Sequence, residues 1–430
     1  LITGGVRIQP DSEVPDGTRV LKDAAGYSPR RTARLEGGGI LRGEFNGTVT
    51  PEVCTAVGAA MASLGTIAIG RSGDEAASVL AAALECGARS AGGNVFRLDS
   101  DFEAETEFAG SWIGADVTVF VRQIGGESVL SFYDGAGRPL SHGLCRKLER
   151  ALSGEPKRVP PEKAGKAEEV AGMREAYLAA AKDEAGAFDP AEIGVCLPGK
   201  GVENRVLRNV LCGLGCTVSV GRRGTVLLRA ESGGFDVTGS DERGAAITAE
   251  QLKTLAAFVE LSSGGETVTA VEDGPSAVSG LCGSLGKTCV SPGERGRAAE
   301  LLFRRQRFTR DGIFAAAKVV GFLLRTGEKL CDVRRRVPAF ATVVREVPAK
   351  GGRAGIMRSF SESQFDGEVA FGRGITVKTE KGSVSVMPCT DREAIRIVSG
   401  SDRVEFAEEL CTAFEKKAKE LEKGKNQDQN

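Results

Sequence analysis

The chain has 430 residues, of which 41% are hydrophobic and 27% are charged, and its formal net charge is −1. This composition supports an ordinary globular core, and the near-zero net charge argues against broad electrostatic binding to nucleic acid. No run of about 18 uncharged apolar residues predicts a membrane span. The first residues carry no apolar stretch typical of a secretory signal. The length corresponds to about three domains.

The histidine and cysteine content argues against a metal or disulfide framework. The single histidine, His142, is predicted in a loop, and the eleven cysteines are scattered along the chain. The closest cysteines, Cys212 and Cys216, lack the two-residue spacing of zinc and redox motifs. We interpret the cysteines as reduced thiols of a cytoplasmic protein.

Residues 1–34 are rich in Gly, Pro, Asp and Arg, which is typical of a poorly ordered arm. Thr50-Pro51-Glu52 then predicts a helix start, with threonine as cap and proline at the first helical position. A unit of apolar strand, polar turn, helix and glycine follows three times. The three units begin at Thr66, Ile193 and Thr267, and their helices are predicted to end at Gly87, Gly213 and Gly283. A glycine just past a helix end can close it in the left-handed conformation, so the pattern predicts three βαβ-type domains.

The segments between these units have distinct characters. Residues 122–128 are predicted as a polar turn between two strands, and residues 154–165 as a linker. A long helix follows, with Val170, Met173, Tyr177 and Ala180 at helical spacing. A basic segment, residues 295–310, precedes an apolar helix that starts at Asp311. Residues 334–355 are predicted as a long connection to a last domain of three strands and one helix.

Several short motifs, in order, resemble the α-D-phosphohexomutases, the superfamily of phosphomannomutase, phosphoglucomutase and phosphoglucosamine mutase. The resemblance covers residues 35–423 and is carried by the segments 39–43 with 50–52 (Gly-Ile-Leu-Arg-Gly and Thr-Pro-Glu), 69–71 (Ile-Gly-Arg), 132–141 (Phe-Tyr-Asp to Leu-Ser), 309–312 (Thr-Arg-Asp-Gly) and 387–397 (Met-Pro-Cys-Thr to Ile-Arg-Ile).

The resemblance implies an α/β fold of three similar mixed-sheet domains plus a smaller α+β C-terminal domain around a central cleft. The segments that we expect are an arm at 1–34, domains at 35–153, 162–263, 264–347 and 356–423, and a tail at 424–430. The resemblance also implies a mutase that moves a phosphoryl group through a phosphoserine. Three further elements are implied: Mg²⁺ held by three aspartates, a Glu-Ser-Gly-His loop that binds the sugar, and a Ser-Gly-Thr loop that binds the phosphate. Such transfer depends on positioning and charge neutralisation.

Each of these four loops departs from the pattern. Ser128 is the only hydroxyl in the shortened serine loop, and Ile124 falls near the nucleophile position. The metal loop aligns with residues 229–234, where Glu231 is the one remaining acid. Asp236, Asp241 and Glu242 would offer a shifted site, but we favour their interpretation as solvated loop acids. The sugar loop is replaced by a basic segment. Arg71, Thr390 and Arg396 remain as phosphate-binding candidates, but Asp391 and Glu393 would repel a phosphate.

We therefore hypothesise a non-catalytic pseudo-mutase without a cofactor. It would bind a phosphorylated sugar or pair with copies of itself or with an active mutase. The alternative is an active phosphohexomutase of diverged site, in which Ser128 carries phosphate and Glu231 helps to hold Mg²⁺. A third hypothesis assigns the basic segment 295–310 to an acidic partner or nucleic acid. The net charge and the lack of stacking aromatics argue against the third.

Overall fold

The structure is a computed structural model that describes residues 35, 39–153, 158–186, 193–219, 225–270, 274–294, 296–349, 353–371, 374–389 and 394–427. Four groups of elements follow one another along the chain, and the predicted α/β class is confirmed. The predicted arm, residues 1–34, lies outside the described residues. Among the helices of the described part, none is long and apolar enough to cross a bilayer.

The first group forms a six-stranded mixed sheet with the strand order β1-β5-β4-β2-β3-β6. Its elements are β1 (Ile40–Glu44), α1 (Pro51–Met61), β2 (Ile67–Arg71), α2 (Glu75–Ser90), β3 (Val95–Leu98), α3 (Glu103–Trp112), β4 (Val117–Ile124), β5 (Glu127–Asp134), α4 (His142–Ser153) and β6 (Ala167–Val170). The predicted start of α1 is confirmed, because Thr50 Oγ1 accepts from Val53 N. His142 begins α4 rather than lying in a loop, and Val170 ends a strand rather than belonging to a helix.

Helices α1 and α2 cross with their backbones in contact. A Cβ added at Gly58 would lie 1.9 Å from Leu84 O, and one added at Gly87 would lie 2.0 Å from Thr55 O. The predicted helix end at Gly87 is therefore wrong. Helix α2 continues past it, and the left-handed residue is Gly92, with φ +88°. Close packing, and not a helix stop, requires glycine at position 87.

The second group forms a five-stranded sheet with the order β11-β10-β9-β7-β8. Its elements are α5 (Met173–Glu184), β7 (Gly194–Cys196), α6 (Val202–Gly213), β8 (Thr217–Ser219), β9 (Val226–Ala230), β10 (Val237–Ser240), β11 (Ala246–Ile247) and α7 (Ala249–Ser262). Strands β7, β8 and β9 are parallel, as the βαβ pattern predicts. Gly213 is the last residue of α6, and the left-handed glycine is Gly215.

The third group has two parallel strands in its described part. Its elements are β12 (Thr267–Thr269), α8 (Ala277–Ser284), β13 (Thr288–Val290), α9 (Arg297–Arg305), α10 (Gly312–Thr326) and α11 (Leu330–Arg336). Helix α10 begins at the predicted place and is buried on every side from Gly312 to Leu324. It shares one apolar core with the second group. Gly283 lies inside α8, and the left-handed glycine is Gly286.

The C-terminal group is larger than predicted. Its elements are β14 (Ala341–Pro348), α12 (Arg353–Ser361), β15 (Glu368–Phe371), β16 (Ile375–Thr379), β17 (Gly382–Pro388), β18 (Ala394–Ser401) and α13 (Val404–Gln427). They form an antiparallel sheet of order β14-β18-β17-β16-β15. The expected connection at 334–355 is wrong, because β14 lies inside it, and the expected tail from 424 still belongs to α13 as far as Gln427.

Candidate functional site

The segment that aligns with the catalytic serine loop is a tight β-hairpin. Strands β4 and β5 pair without interruption up to Ile124 and Glu127. Only Gly125 and Gly126 remain between them, with φ values of +59° and +89°. Two consecutive left-handed residues are what a two-residue hairpin turn requires. The predicted polar turn 122–128 is therefore wrong, since most of its residues belong to the strands.

Ser128 lies inside strand β5 and its side chain is fully buried. Its Oγ accepts a hydrogen bond from Gln123 Nε2 at 2.6 Å. On its other side it pairs with Gly43 of β1. Ile124, which falls near the nucleophile position, is exposed at the hairpin tip and has no group that could carry a phosphoryl group.

The segment that aligns with the metal loop holds one acid, Glu231. Glu231 Oε1 accepts from Thr238 Oγ1 at 2.8 Å and lies 3.9 Å from Arg229 Nε. The backbone N of Gly233 donates to Glu203 Oε1. Among the described residues, no three His, Cys, Asp or Glu side chains converge as metal ligands would. Mg²⁺ prefers several oxygen ligands, so this segment does not fit it.

The acids of the proposed shifted metal site all have other partners. Asp236 Oδ1 lies 2.6 Å from Lys253 Nζ. Asp241 Oδ1 accepts from backbone N atoms of the turn that follows it, and Glu242 caps α11 by accepting from Leu330 N and Cys331 N. Their hydrogen bonds stabilise local structure.

Three buried glutamates of α3 lie where the surrounding segments meet. Glu103, Glu105 and Glu107 are at most 4% exposed. A buried carboxylate is costly unless it is paired, and each of these is. Their partners come from three different parts of the chain. The contacts are Glu103 with Arg122 Nη1 (2.7 Å) and Tyr133 Oη (2.5 Å), Glu105 with Arg174 Nη2 (2.9 Å), and Glu107 with Arg307 Nη1 (2.7 Å) and Arg310 Nη2 (3.3 Å).

Asp311 extends this cluster to the start of α10. Its Oδ2 accepts from Tyr177 Oη at 2.7 Å, while its Oδ1 caps the helix by accepting from Ile313 N and Phe314 N. We call this cluster the α3 ion-pair network. It consists of Glu103, Glu105, Glu107, Asp311, Arg122, Arg174, Arg307, Arg310, Tyr133 and Tyr177. Three of its four carboxylates pair with its four guanidinium groups, and the fourth, that of Asp311, is hydrogen-bonded to Tyr177.

The loop after β5 joins the first group directly to the third. Arg138 pairs with Asp134 (2.9 Å) and donates to Glu294 O (3.3 Å). Arg304 Nη2 donates to Gly135 O at 2.7 Å. At Gly137, with φ +77°, an added Cβ would lie 1.4 Å from Glu107 Oε1. The first and third groups therefore touch through polar contacts beside the network.

Comparison with known proteins gives matches among solved structures alone: neither the family models nor the curated proteins include a match. A phosphoglucomutase/phosphomannomutase family protein of Burkholderia thailandensis superposes with a TM-score of 0.65 at 12% identity, over 91% of this chain and 98% of that one. The chain has the phosphohexomutase fold. A putative phosphomannomutase of Thermus thermophilus superposes with a TM-score of 0.60 at 16% identity, over 88% of this chain and 97% of that one. N-acetylphosphoglucosamine mutase of Aspergillus fumigatus, solved with GlcNAc-6P and magnesium, superposes with a TM-score of 0.51 at 10% identity, over 91% of this chain and 96% of that one.

On this phosphohexomutase fold, the two described phosphate-binding candidates, Arg71 and Arg396, lie in separate groups. Arg71 is exposed at the end of β2 and donates to Ser72 O. Arg396 lies in β18, directly opposite Glu346 of β14, so a carboxylate shares its face of the sheet. Thr390 lies outside the described residues. The role of these three residues in phosphate binding stays a prediction.

The α3 glutamates were not among the candidate residues from the sequence, although the basic segment that pairs with one of them was. A solvated Arg-rich face is the favoured sequence interpretation of segment 295–310, although it could also bind an anion. Two of its arginines, Arg307 and Arg310, do so, but the anion is Glu107 of the same chain. The signal that was available is the unusual Glu-x-Glu-x-Glu run directly after the apolar Phe102.

Burial changes the ionisation of the network. It raises the pKa values of Glu105 and of Tyr133, and it lowers the pKa of Arg310. Burial also raises the pKa of Asp311 to about 6, against the opposing effect of hydrogen bonds from Tyr177 and Phe314. In each case the apolar surroundings favour the neutral form.

We expect the stability of the protein relative to its Asp311→Asn variant to fall as the pH rises from about 4 to 6. In this window folded Asp311 keeps a proton that the unfolded chain has released, so raising the pH favours unfolding. Asparagine keeps the cap oxygen, and other titrating groups cancel in the comparison. Urea unfolding of both proteins across this range measures the difference. A difference that does not change with pH would contradict the raised pKa.

Proposed function

We propose that this protein is a non-catalytic member of the phosphohexomutase fold that acts by binding a ligand or a partner. The observation that supports this most strongly is the α3 ion-pair network. It joins the segments that resemble reaction loops, because Arg122 comes from the serine-loop hairpin, and Arg307, Arg310 and Asp311 come from the Thr-Arg-Asp-Gly region. Carboxylates and guanidinium groups neutralise one another there.

Phosphoryl transfer needs a reachable nucleophile and a cation at the developing charge. Ser128 offers its hydroxyl inside a sheet, where Gln123 already donates to it. Glu231 stands beside Arg229, and its segment supplies no second carboxylate for a metal. An active enzyme with Ser128 as nucleophile would have to separate β5 from β4, which would break the hydrogen bonds of the hairpin. We therefore favour binding over catalysis.

The network also suggests how a binding protein would use the fold. Glu107 holds Arg307 and Arg310 across the boundary between the first and third groups, and Arg174 reaches Glu105 from the second. Such buried contacts hold the groups in one arrangement, and a fixed arrangement suits a protein that presents a surface. A phosphorylated sugar at Arg71, Thr390 and Arg396, or a complex with an active mutase, belongs to this proposal. So does a cytoplasmic location, supported by eleven free cysteines.

We expect the purified protein to form no glucose 6-phosphate from glucose 1-phosphate when Mg²⁺ and glucose 1,6-bisphosphate are present. The physical reason is the missing nucleophile and metal loop. Phosphorus NMR follows the sugar phosphates, and intact-mass spectrometry follows the protein, which we expect to gain no phosphoryl group.

An active phosphoglucomutase under the same conditions serves as the positive control. The matched variant is Ser128→Ala, which separates activity of this chain from a contaminating enzyme. Turnover that disappears in Ser128→Ala, or a phosphoryl group on the Ser128 peptide, would overturn the proposal.

A further inference from the structure

A cavity of about 1110 Å³ lies between α8 of the third group and one face of the C-terminal sheet. It shares no residue with the α3 ion-pair network. Ligand cavities in proteins typically measure about 300–1,000 Å³, so this one has room for a molecule of two or three sugar rings. What it could hold depends on the chemistry of its walls.

The sheet side of the cavity is a row of polar side chains. Thr376 pairs with Ser385, and Lys378 pairs with Ser383, so all four lie on one face of β16 and β17. The residues between them, such as Val377 and Val384, point into the apolar core on the other face. The hydroxyls of Thr376 and Ser385 lie 2.7 Å apart. Each hydroxyl can donate one hydrogen bond and accept two, so the pair retains capacity for a ligand.

The opposite side mixes apolar residues and glycines with three hydroxyl groups, those of Ser279, Ser284 and Ser291. Gly280 and Gly283 of α8 line it, and the half-buried ring of Phe340 fills the space between α8 and β18. A Cβ at Gly280 would lie 2.2 Å from Phe340 Cδ2, and one at Gly400 would lie 2.6 Å from Phe340 Cζ. The glycines therefore fix the ring in place. An aromatic ring opposite a row of hydroxyls suits a molecule with one C–H face and one polar edge.

The charges around the cavity do not favour an anion. Three carboxylates line it, from Glu294, Glu380 and Asp402, against the ammonium groups of Lys378 and Lys381. Lys381 is already paired with Glu409 at 2.8 Å. A phosphate group would meet one uncommitted lysine and three negative charges, which argues for an uncharged ligand.

We propose that this cavity binds an uncharged carbohydrate, with a sugar ring against Phe340 and its hydroxyls on Thr376 and Ser383, beside the buried Ser385. The site goes beyond the proposed function, because it takes a different ligand class from the phosphorylated sugar proposed there. It does not depend on whether the protein catalyses a reaction.

The test uses Gly283, where an added Cβ meets no atom within 4 Å and the backbone is helical. The full-length protein is titrated calorimetrically with maltotriose, cellotriose and triacetylchitotriose, and with glucose 6-phosphate as the charged comparison. We expect saturable binding of at least one neutral trisaccharide below about 10 mM. Gly283→Phe should abolish it by filling the cavity, and Thr376→Val with Ser385→Ala should weaken it about tenfold by removing hydroxyl partners.

The control is Gly73→Phe, since Gly73 is equally open but lies before α2, far along the chain from the cavity residues. We expect it to bind like the unmodified protein. The proposal is wrong if none of the three trisaccharides binds, or if the Gly283→Phe variant binds them as well as the Gly73→Phe variant does. It is also wrong if glucose 6-phosphate binds more tightly than the trisaccharides and if the Gly283→Phe variant no longer binds it.

Discussion

Replacing Glu107 with glutamine will destabilise the protein by about 3–5 kcal/mol, the usual cost of removing one partner from a buried ion pair. Glu107 is fully buried and compensates two guanidinium groups, Arg307 at 2.7 Å and Arg310 at 3.3 Å. Glutamine keeps the shape but leaves both cations without a counter-charge. The readout is urea unfolding followed by the fluorescence of Trp112, the only tryptophan, which stacks on Phe108 in the same helix.

The matched control is Glu409→Gln. Glu409 also pairs with a lysine, Lys381, but both side chains are at least half exposed. Exposed ion pairs contribute at most about 1 kcal/mol to stability, so this variant should unfold at almost the same urea concentration as the unmodified protein. If Glu107→Gln and Glu409→Gln unfold at the same urea concentration, the network does not hold the groups together as described.

The second large effect is expected for Gly87→Ala, a substitution that normally stabilises a helix. At Gly87 the added Cβ would lie 2.0 Å from Thr55 O of α1. The obstacle is backbone, which cannot turn aside like a flexible side chain, so α1 and α2 must move apart. We expect a loss of about 3 kcal/mol, the upper end of what overpacking costs. Thermal and urea unfolding measure it.

The same substitution at another helical glycine, Gly283→Ala, is expected to stabilise the protein. Gly283 is also helical, but its Cβ would meet open space, so alanine should gain up to about 1 kcal/mol from helix propensity. The two alanine variants should therefore change stability in opposite directions. Equal effects would show that backbone contact does not decide the role of Gly87.

The repeated βαβ pattern was predictable because buried parallel strands form continuous apolar runs. Thr66, Ile193 and Thr267 each stand at or next to the start of such a strand. Strand β14 was missed for the opposite reason. It lies at the sheet edge with alternating exposure, in a stretch rich in Arg and Pro. An edge strand of this kind carries little of the apolar signal that marks a strand in the sequence.

In the candidate site, the departure of these segments from the phosphohexomutase pattern could be recognised from the sequence, but the contacts that they make could not. Glu107 pairs with Arg310, which lies 203 residues away, and no local pattern links them. Glu105 projects to a different side of α3 from Glu103 and Glu107, so the three acids do not form one helix face. Without the fold, three glutamates at the start of a helix indicate favourable interaction with the helix dipole.

The two-glycine turn between β4 and β5 constrains the evolutionary history of this chain. A serine substituted at Gly125 or Gly126 would sit in a left-handed conformation at the tip of a fully paired ladder. A serine loop of the length that the resemblance implies would require inserted residues and the loss of strand pairing at the same time. Single substitutions can therefore change the surface of this hairpin, whereas a longer loop at its tip needs inserted residues.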